Sequence, residues 1–152
     1  MTETKAPALS LTHQALHARD LEATLAFYRD YCGLEEIHRR EDEPGVRVVW
    51  IAEPGREKRF VFVVIEGGPG RVRREGDLSH LGFACADRRG VDELAEKAEA
   101  EGRLIWPVTE APAPLGYFCG VEDPDGNLVE FSYGQPLGPQ LGKPPGPGEE
   151  RS

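Results

Sequence analysis

The alternation of hydrophobic and polar positions predicts short strands separated by two amphipathic helices. In the first half of the chain, residues 9–16 alternate as a strand does, and a helix follows between Asp20 as its N-cap and Gly33 as its stop. Turn-forming Pro-Gly pairs then separate three further strand-like runs, at 35–40, 46–51 and 60–65. This half is therefore predicted to be strand, helix and three strands.

The second half of the chain repeats that order. A strand over 78–85 precedes a helix that begins near Asp87 or Gly90 and ends at Gly102. One face of this helix is apolar, at Val91, Leu94, Ala95 and Ala98. Three more strands are predicted, at 103–106, 117–121 and 128–132.

The two halves also share a sequence repeat. LTHQALHARD at 11–20 returns as LSHLGFACAD at 78–87, displaced by 67 positions, so His13 and His80 are equivalent. Repeats of this kind mark tandem supersecondary units that bury a common core. Two histidines held in register by such a repeat can converge on one point between the copies, and metal binding is therefore the first hypothesis.

Strand alternation predicts which way these side chains point. The bulkier faces of the two histidine strands are expected to pack under the helices, which turns His13 and His80 to the opposite, concave side. Glu130 alternates with the apolar Val129 and Phe131 and is predicted to point to the same side. A carboxylate on such an inward face needs a partner for its charge, and a divalent metal supplies one.

The two remaining histidines are weaker candidates. His17 lies four residues after His13 on the same strand, roughly 13 Å away, which is too far to bind the same ion. It either lines the cavity or is exposed. His38 stands beside Arg39 and Arg40 and is predicted to lie on the surface.

Composition narrows the class of protein. The 152 residues carry a formal net charge of −9, which argues against nonspecific nucleic-acid binding, and no apolar run approaches the length of a membrane span. Residues 1–10 have no apolar core, so a signal peptide is not predicted. The three cysteines lack CxxC spacing, which suits a reducing cytoplasm.

These observations give a domain plan. An N-terminal tail occupies 1–8, and one domain spans 9–133 as module one (9–66), a glycine-rich linker (67–77) and module two (78–133). After Tyr133 the chain becomes rich in proline and glycine, and 134–152 is predicted to be a disordered or partner-wrapping tail.

Three segments resemble the vicinal oxygen chelate superfamily, which includes glyoxalase I, extradiol dioxygenases, fosfomycin-resistance enzymes and bleomycin-binding proteins. They are H-x-x-L-x-A-x-D-L-E followed by AFYRDYCGL at 13–34, SHLGFAC at 79–85 and DPDGNLVEF at 123–131. The resemblance implies an α+β fold of two tandem βαβββ modules, whose curved mixed sheet surrounds a concave metal site. It also implies that one divalent metal is held at His13, His80 and Glu130.

The chain departs from one branch of that superfamily. Glyoxalase I has a fourth ligand, a glutamate on the last strand of its first module, but the positions here that match Glu130 fall near Val61–Val63. Glu66, at the end of that strand, is better interpreted as a solvated residue than as a ligand. Fosfomycin-resistance enzymes match both the three-ligand set and the chain size, whereas many ring-cleaving dioxygenases carry two module pairs.

The resulting hypothesis is a metal-dependent enzyme, a lyase, dioxygenase or thiol transferase, acting on a small substrate that chelates the metal through vicinal oxygens. Tyr117 and Tyr133 flank the last hairpin and are candidate catalytic residues, although tyrosines at strand ends usually pack. The alternative is a non-catalytic drug-binding protein of the bleomycin-resistance type, for which an acidic chain suits a cationic ligand. Histidine and carboxylate ligands suit Fe, Mn, Zn, Ni or Co. A homodimer is expected, because single-chain members commonly pair modules across subunits.

Overall fold

The computed structural model describes residues 8–137, which divide into two compact units between Pro69 and Gly70, inside the glycine-rich segment 67–77. Each unit contains one helix and four strands. Unit one comprises β1 (His13–Ala18), α1 (Leu21–Cys32), β2 (Glu35–Glu43), β3 (Val46–Ala52) and β4 (Val61–Glu66). Unit two comprises β5 (Leu81–Ala84), α2 (Arg88–Ala100), β6 (Leu104–Ala111), β7 (Gly116–Glu122) and β8 (Leu128–Tyr133). The predicted order is confirmed in both halves.

Each unit forms one mixed four-stranded sheet. The strand orders are β1-β4-β3-β2 and β5-β8-β7-β6, so the first strand of each unit lies beside the last. That pair is parallel, and the other neighbours are antiparallel. A parallel pair requires a long connection, and here the helix and two further strands supply it. The predicted α+β class with tandem βαβββ modules is confirmed.

The pairing register preserves the sequence repeat. Ala15 pairs with Val63 in unit one, and Gly82 pairs with Glu130 in unit two. Both members of the second pair lie 67 positions after those of the first, as the two histidines do. Val63 is therefore the structural equivalent of Glu130.

Both helices begin where the sequence predicts. The carboxylates of Asp20 and Asp87 accept backbone N–H bonds from Ala23 and Gly90, which satisfies donors that the first helical turn leaves unpaired. Gly33 ends α1 in a left-handed conformation with φ of 68°, which glycine adopts without steric cost. These caps fix where the chain enters and leaves each sheet.

The helix-facing side of each sheet forms its core. In unit one Val49, Ile51, Phe62 and Val64 are buried, and in unit two Cys119, Val121, Val129 and Phe131 are buried with the apolar face of α2. On β1 the buried or half-buried residues are Leu16 and Ala18, while His13 is exposed. The predicted orientation of the two faces therefore holds on this strand.

Both histidine strands start later than predicted. β1 begins at His13 instead of Leu9, and β5 begins at Leu81 instead of Leu78. The reason is the partner strand: β4 starts at Val61, opposite His13, so the residues before His13 have no strand beside them. His80 consequently lies just outside β5, on the segment that leads into it.

Candidate metal centre

Glu130 occupies the middle of the second sheet. It lies on β8 between Gly82 of β5 and Gly120 of β7, and all three positions share one face because paired residues point to the same side. Only 9% of Glu130 is exposed. Gly82 leaves open space beside the carboxylate, since a Cβ built there would meet no atom within 4 Å, whereas the space over Gly120 is taken by a neighbouring side chain.

His80 is the ionisable partner of this carboxylate. Its Nε2 lies 2.9 Å from Oε2 of Glu130, and its Nδ1 lies 2.6 Å from the carbonyl oxygen of Leu78. A carbonyl oxygen can only accept, so Nδ1 carries the proton and donates it to Leu78. This backbone contact fixes the orientation of the ring and directs Nε2 at Glu130.

Two species satisfy this geometry. In the first, His80 is an imidazolium that donates its second proton to Glu130. In the second, the imidazole is neutral, and its Nε2 lone pair and the carboxylate oxygen both face a cation. Two donor atoms that bind one metal at about 2.1 Å and at right angles lie about 3 Å apart, close to the separation seen here. The pair therefore has the donor chemistry and spacing of two adjacent metal ligands.

Gln135 completes the surroundings of the carboxylate. Its side-chain nitrogen donates to Oε1 of Glu130 over 2.8 Å and to the carbonyl oxygen of Leu115 over 3.0 Å. Gln135 falls in the segment predicted to be a disordered or partner-wrapping tail, and its role was not predicted, since a single amide after a glycine gives no pattern. Residues 134–137 belong to the described chain, while 138–152 of the predicted tail lie outside it.

The indole ring of Trp106 lies beside the His80–Glu130 pair. It is paired with Gly120, and a Cβ built on that glycine would lie 2.7 Å from the indole ring. The ring also contacts His80 edge-on, with centroids 5.4 Å apart, and Phe118 at 6.3 Å. Gly120 thus lets an aromatic side chain lie against the sheet beside the His80–Glu130 pair.

His13, the third predicted ligand, belongs to unit one. Its Nδ1 is 2.9 Å from the hydroxyl oxygen of Thr12. In both His13 and His80, Nδ1 is therefore hydrogen-bonded to an oxygen of a nearby residue. An oxygen at one ring nitrogen is the usual way to orient the other towards a metal. Within residues 8–137, no three or more His, Cys, Asp or Glu side chains form a group that could hold a metal ion, and the structure brings together His80 and Glu130 as a pair.

In unit one, the row of paired residues across the sheet that corresponds to Gly82, Glu130 and Gly120 contains no carboxylate. It runs from Ala15 through Val63 and Trp50 to His38, and the last two rings are in edge contact at 5.3 Å. His38 is exposed, as predicted. His17 is exposed too, with its ring lying over Gly68.

Glu66 is engaged by an arginine. Its two carboxylate oxygens accept bonds of 2.6 and 2.9 Å from the guanidinium of Arg47, and the backbone N–H of Arg47 adds a third. These bonds, the side-chain bonds first, lower the pKa of Glu66 to about 2. A carboxylate held in this way is an ion-pair partner at the end of β4, and its side chain is 23% exposed, so it is less solvated than the sequence predicted.

The candidate tyrosines lie on the opposite face from Glu130. Tyr117 and Tyr133 are paired across β7 and β8, and the phenol of Tyr117 donates to Asp92 of α2 over 2.5 Å. This bond and burial raise the pKa of Tyr117 to about 12. Their catalytic role stays a prediction from sequence, and their placement on the helix side does not support it.

The DPDGN segment is a structural turn. Asp123 accepts backbone bonds from Asp125 and Asn127 and a side-chain bond from Asn127, which closes the hairpin before β8. A Cβ on Gly126 would collide with the backbone oxygen of Arg71, so glycine is needed for this turn to pack against the first residues of unit two. The carboxylate of Asp123 thus closes the turn that leads into the strand of Glu130.

Comparison with known proteins places this arrangement in a family. The model of the Glyoxalase/Bleomycin resistance protein/Dioxygenase superfamily matches residues 10–131. An uncharacterized protein of Pseudomonas aeruginosa is 55% identical over 130 residues, which cover 86% of this chain and 92% of that protein.

Solved structures show the same fold. A mutant of the fosfomycin resistance protein FosX from Listeria monocytogenes, complexed with Mn(II) and 1S,2S-dihydroxypropylphosphonic acid, superposes with a TM-score of 0.63 at 25% identity, covering 81% of this chain and 90% of that one. Lactoylglutathione lyase from Agrobacterium tumefaciens gives a TM-score of 0.55 at 27% identity, covering 88% and 99%. No helix among residues 8–137 is long and apolar enough to cross a membrane.

Proposed function

The chain belongs to the glyoxalase/bleomycin resistance/dioxygenase superfamily, and on that basis we propose that it is a metal-dependent enzyme acting on a small substrate with two vicinal oxygens. His80 and Glu130 are two ligands of the metal, and His13 is the third. The observation that carries the proposal is the 2.9 Å approach of His80 Nε2 to Glu130, with the other ring nitrogen already bound to the Leu78 carbonyl.

The protein residues have separate tasks in this proposal. The backbone at Leu78 holds His80 in the tautomer that presents Nε2, while burial of Glu130 keeps its carboxylate from being fully solvated. Trp106 shields one side of the pair from water. A bound divalent metal would supply Lewis acidity, which stabilises negative charge developing on a substrate oxygen.

Three protein ligands suit this chemistry better than four. The position that matches Glu130 in unit one is Val63, which has no donor atom, so the chain offers no fourth ligand there. Fewer protein ligands leave more positions for water or for the two oxygens of a substrate. The FosX mutant is complexed with Mn(II) and 1S,2S-dihydroxypropylphosphonic acid, and phosphonates, catechols and 2-hydroxy ketones are the substrate classes to test first.

A second candidate is a drug-binding protein without chemistry. It is favoured by the aromatic side chains on the histidine-side faces, Trp106 in unit two and Trp50 in unit one, the latter 37% exposed beside Arg40. A flat cationic drug could stack on such rings without a metal. The net charge of −9 suits the same ligand.

Metal content and ligand titration separate the two functions. Protein purified without chelator should contain one divalent metal per chain by elemental analysis, identified as Fe, Mn, Zn, Ni or Co. The variant with His13, His80 and Glu130 all changed to Ala should contain none. Oxygen-chelating ligands should bind the metal-loaded protein and lose affinity in the metal-free one. If the triple variant keeps its metal, or only a cationic drug binds and does so without metal, the enzyme proposal fails.

The assembly and location complete the proposal. We expect a homodimer, which sedimentation at micromolar concentration tests. The three described cysteines are free thiols, and burial raises the pKa of Cys85 to about 11 and that of Cys119 to about 12. Free thiols are typical of proteins in a reducing cytoplasm, which is the location we propose.

A further inference from the structure

Gln135 lies where the chain leaves the second sheet, and its position is set by two glycines. Gly134 has φ of 87°, which turns the chain back after β8. A Cβ on Gly116 would lie 2.5 Å from the backbone oxygen of Tyr133, so only glycine lets the segment around Gln135 lie against the start of β7. The approach of these two backbones brings the amide of Gln135 onto the face that carries Glu130.

The amide then binds two acceptors at once. One contact is to Oε1 of Glu130 at 2.8 Å, and the other is to the carbonyl of Leu115 at 3.0 Å, in the hairpin turn between β6 and β7. Leu115 is itself held by a backbone bond from its N–H to the Pro112 carbonyl, so the acceptor belongs to a closed turn. Gln135 therefore links a rigid turn to one oxygen of the carboxylate.

The two oxygens of Glu130 consequently have different roles. Oε1 accepts from Gln135, and Oε2 faces Nε2 of His80. A carboxylate whose one oxygen is held by an amide cannot rotate freely, and the oxygen presented to a shared cation is then always the same one. We infer that Gln135 is a positioning residue, which orients Glu130 so that Oε2 and His80 Nε2 bind one divalent cation together.

This inference rests on the proposed function, since it requires Glu130 to be a metal ligand. Groups that orient metal ligands typically contribute about 10- to 100-fold to metal affinity. A polar side chain at position 135 is not sufficient for this contribution to metal affinity, because the amide must extend far enough to contact both Glu130 and Leu115. An asparagine, one methylene shorter, keeps the amide but cannot span both acceptors.

The test uses full-length protein and Mn(II) alone. Gln135→Leu, which removes both donors at similar volume, and Gln135→Asn should each weaken Mn(II) binding by about 10- to 100-fold in calorimetric titration. The electron paramagnetic resonance spectrum of bound Mn(II) should change as well, because the carboxylate is free to bind through either oxygen or both. Thr109→Val is the matched control: it removes a side-chain bond to the Pro107 carbonyl on β6, which is separated from the strand of Glu130 by β7, and should leave affinity and spectrum unchanged.

The possible results separate the positioning role of Gln135 from the proposed metal-dependent function. Wild-type protein that fails to bind Mn(II) or any other divalent metal would overturn both. Wild-type binding with equal affinity and an identical spectrum in both Gln135 variants would overturn the inference alone. Should Gln135→Leu not fold, Gln135→Asn decides, and affinity retained in that variant would show that the contact to Glu130 does not position the ligand.

Discussion

The two units share one topology and one register, yet only the second has a buried carboxylate in the middle of its sheet. At equivalent places, unit one has the pair Ala15–Val63 and unit two has Gly82–Glu130. The helix-facing sides are apolar in both. The core side stays apolar in both units because packing constrains every position there, whereas the opposite faces carry different chemistry.

The residues that flank this central position on the adjacent strands also differ between the two units. Glu130 is flanked by two glycines, whereas the equivalent Val63 is flanked by Ala15 and Trp50. Unit two has an aromatic ring one strand further out, at Trp106, which lies over Gly120. Each unit therefore carries one tryptophan on this face, on β3 beside Val63 in unit one and on β6 beside Gly120 in unit two.

The largest effect is expected when the central residue of unit two is replaced by the residue that unit one has at the equivalent place. Glu130→Val should reduce Mn(II) affinity by more than about 100-fold, because it removes a ligand and not merely a group that orients one. The metal-free variant should stay folded, since valine occupies the equivalent site in unit one. Calorimetric titration measures the first effect and circular dichroism the second.

The matched control for this change is the other strand carboxylate. Glu66→Gln removes a carboxylate from the last strand of unit one, where Arg47 already holds it, and should leave Mn(II) affinity at the wild-type value. Equal affinity in wild type and Glu130→Val would show that Glu130 is not a ligand. A loss in Glu66→Gln would mean that the two carboxylates do not differ as the contacts indicate.

The sequence predicted more of the fold than of the site. Strand and helix order, both helix starts and the equivalence of His13 and His80 followed from periodicity, capping and the repeat, because these are local signals. Gln135 could not be predicted, since its contact with Glu130 depends on two glycine-mediated backbone turns. The placement of Tyr117 and Tyr133 also needed the register, which puts them on the helix side.

The two glycines beside Glu130 offer a comparison within one row. Gly120→Ala should destabilise the protein by about 1–3 kcal/mol, because its Cβ would push against the ring of Trp106. Gly82→Ala meets no atom within 4 Å and should be neutral or stabilising by up to about 1 kcal/mol. Urea unfolding followed by circular dichroism gives both values. Equal destabilisation by the two alanines would show that strand position, and not Trp106, sets the cost.

The smallest expected effect concerns the ion pair that unit one has instead of a metal ligand. Arg47 lowers the pKa of Glu66 from its ordinary 4.5 to about 2, so the folded state prefers the charged carboxylate. The resulting stabilisation is fully present above pH 4.5 and is lost as the pH falls towards 2. Glu66→Gln should therefore be less stable than wild type at neutral pH, and the difference should shrink as the pH falls through this window. Because both side chains are partly exposed to solvent, the difference should be small and should decrease in high salt. Thermal unfolding of both proteins between pH 7 and pH 2 measures it, and a difference that stays constant across this range would show that the Arg47 pair does not stabilise the fold.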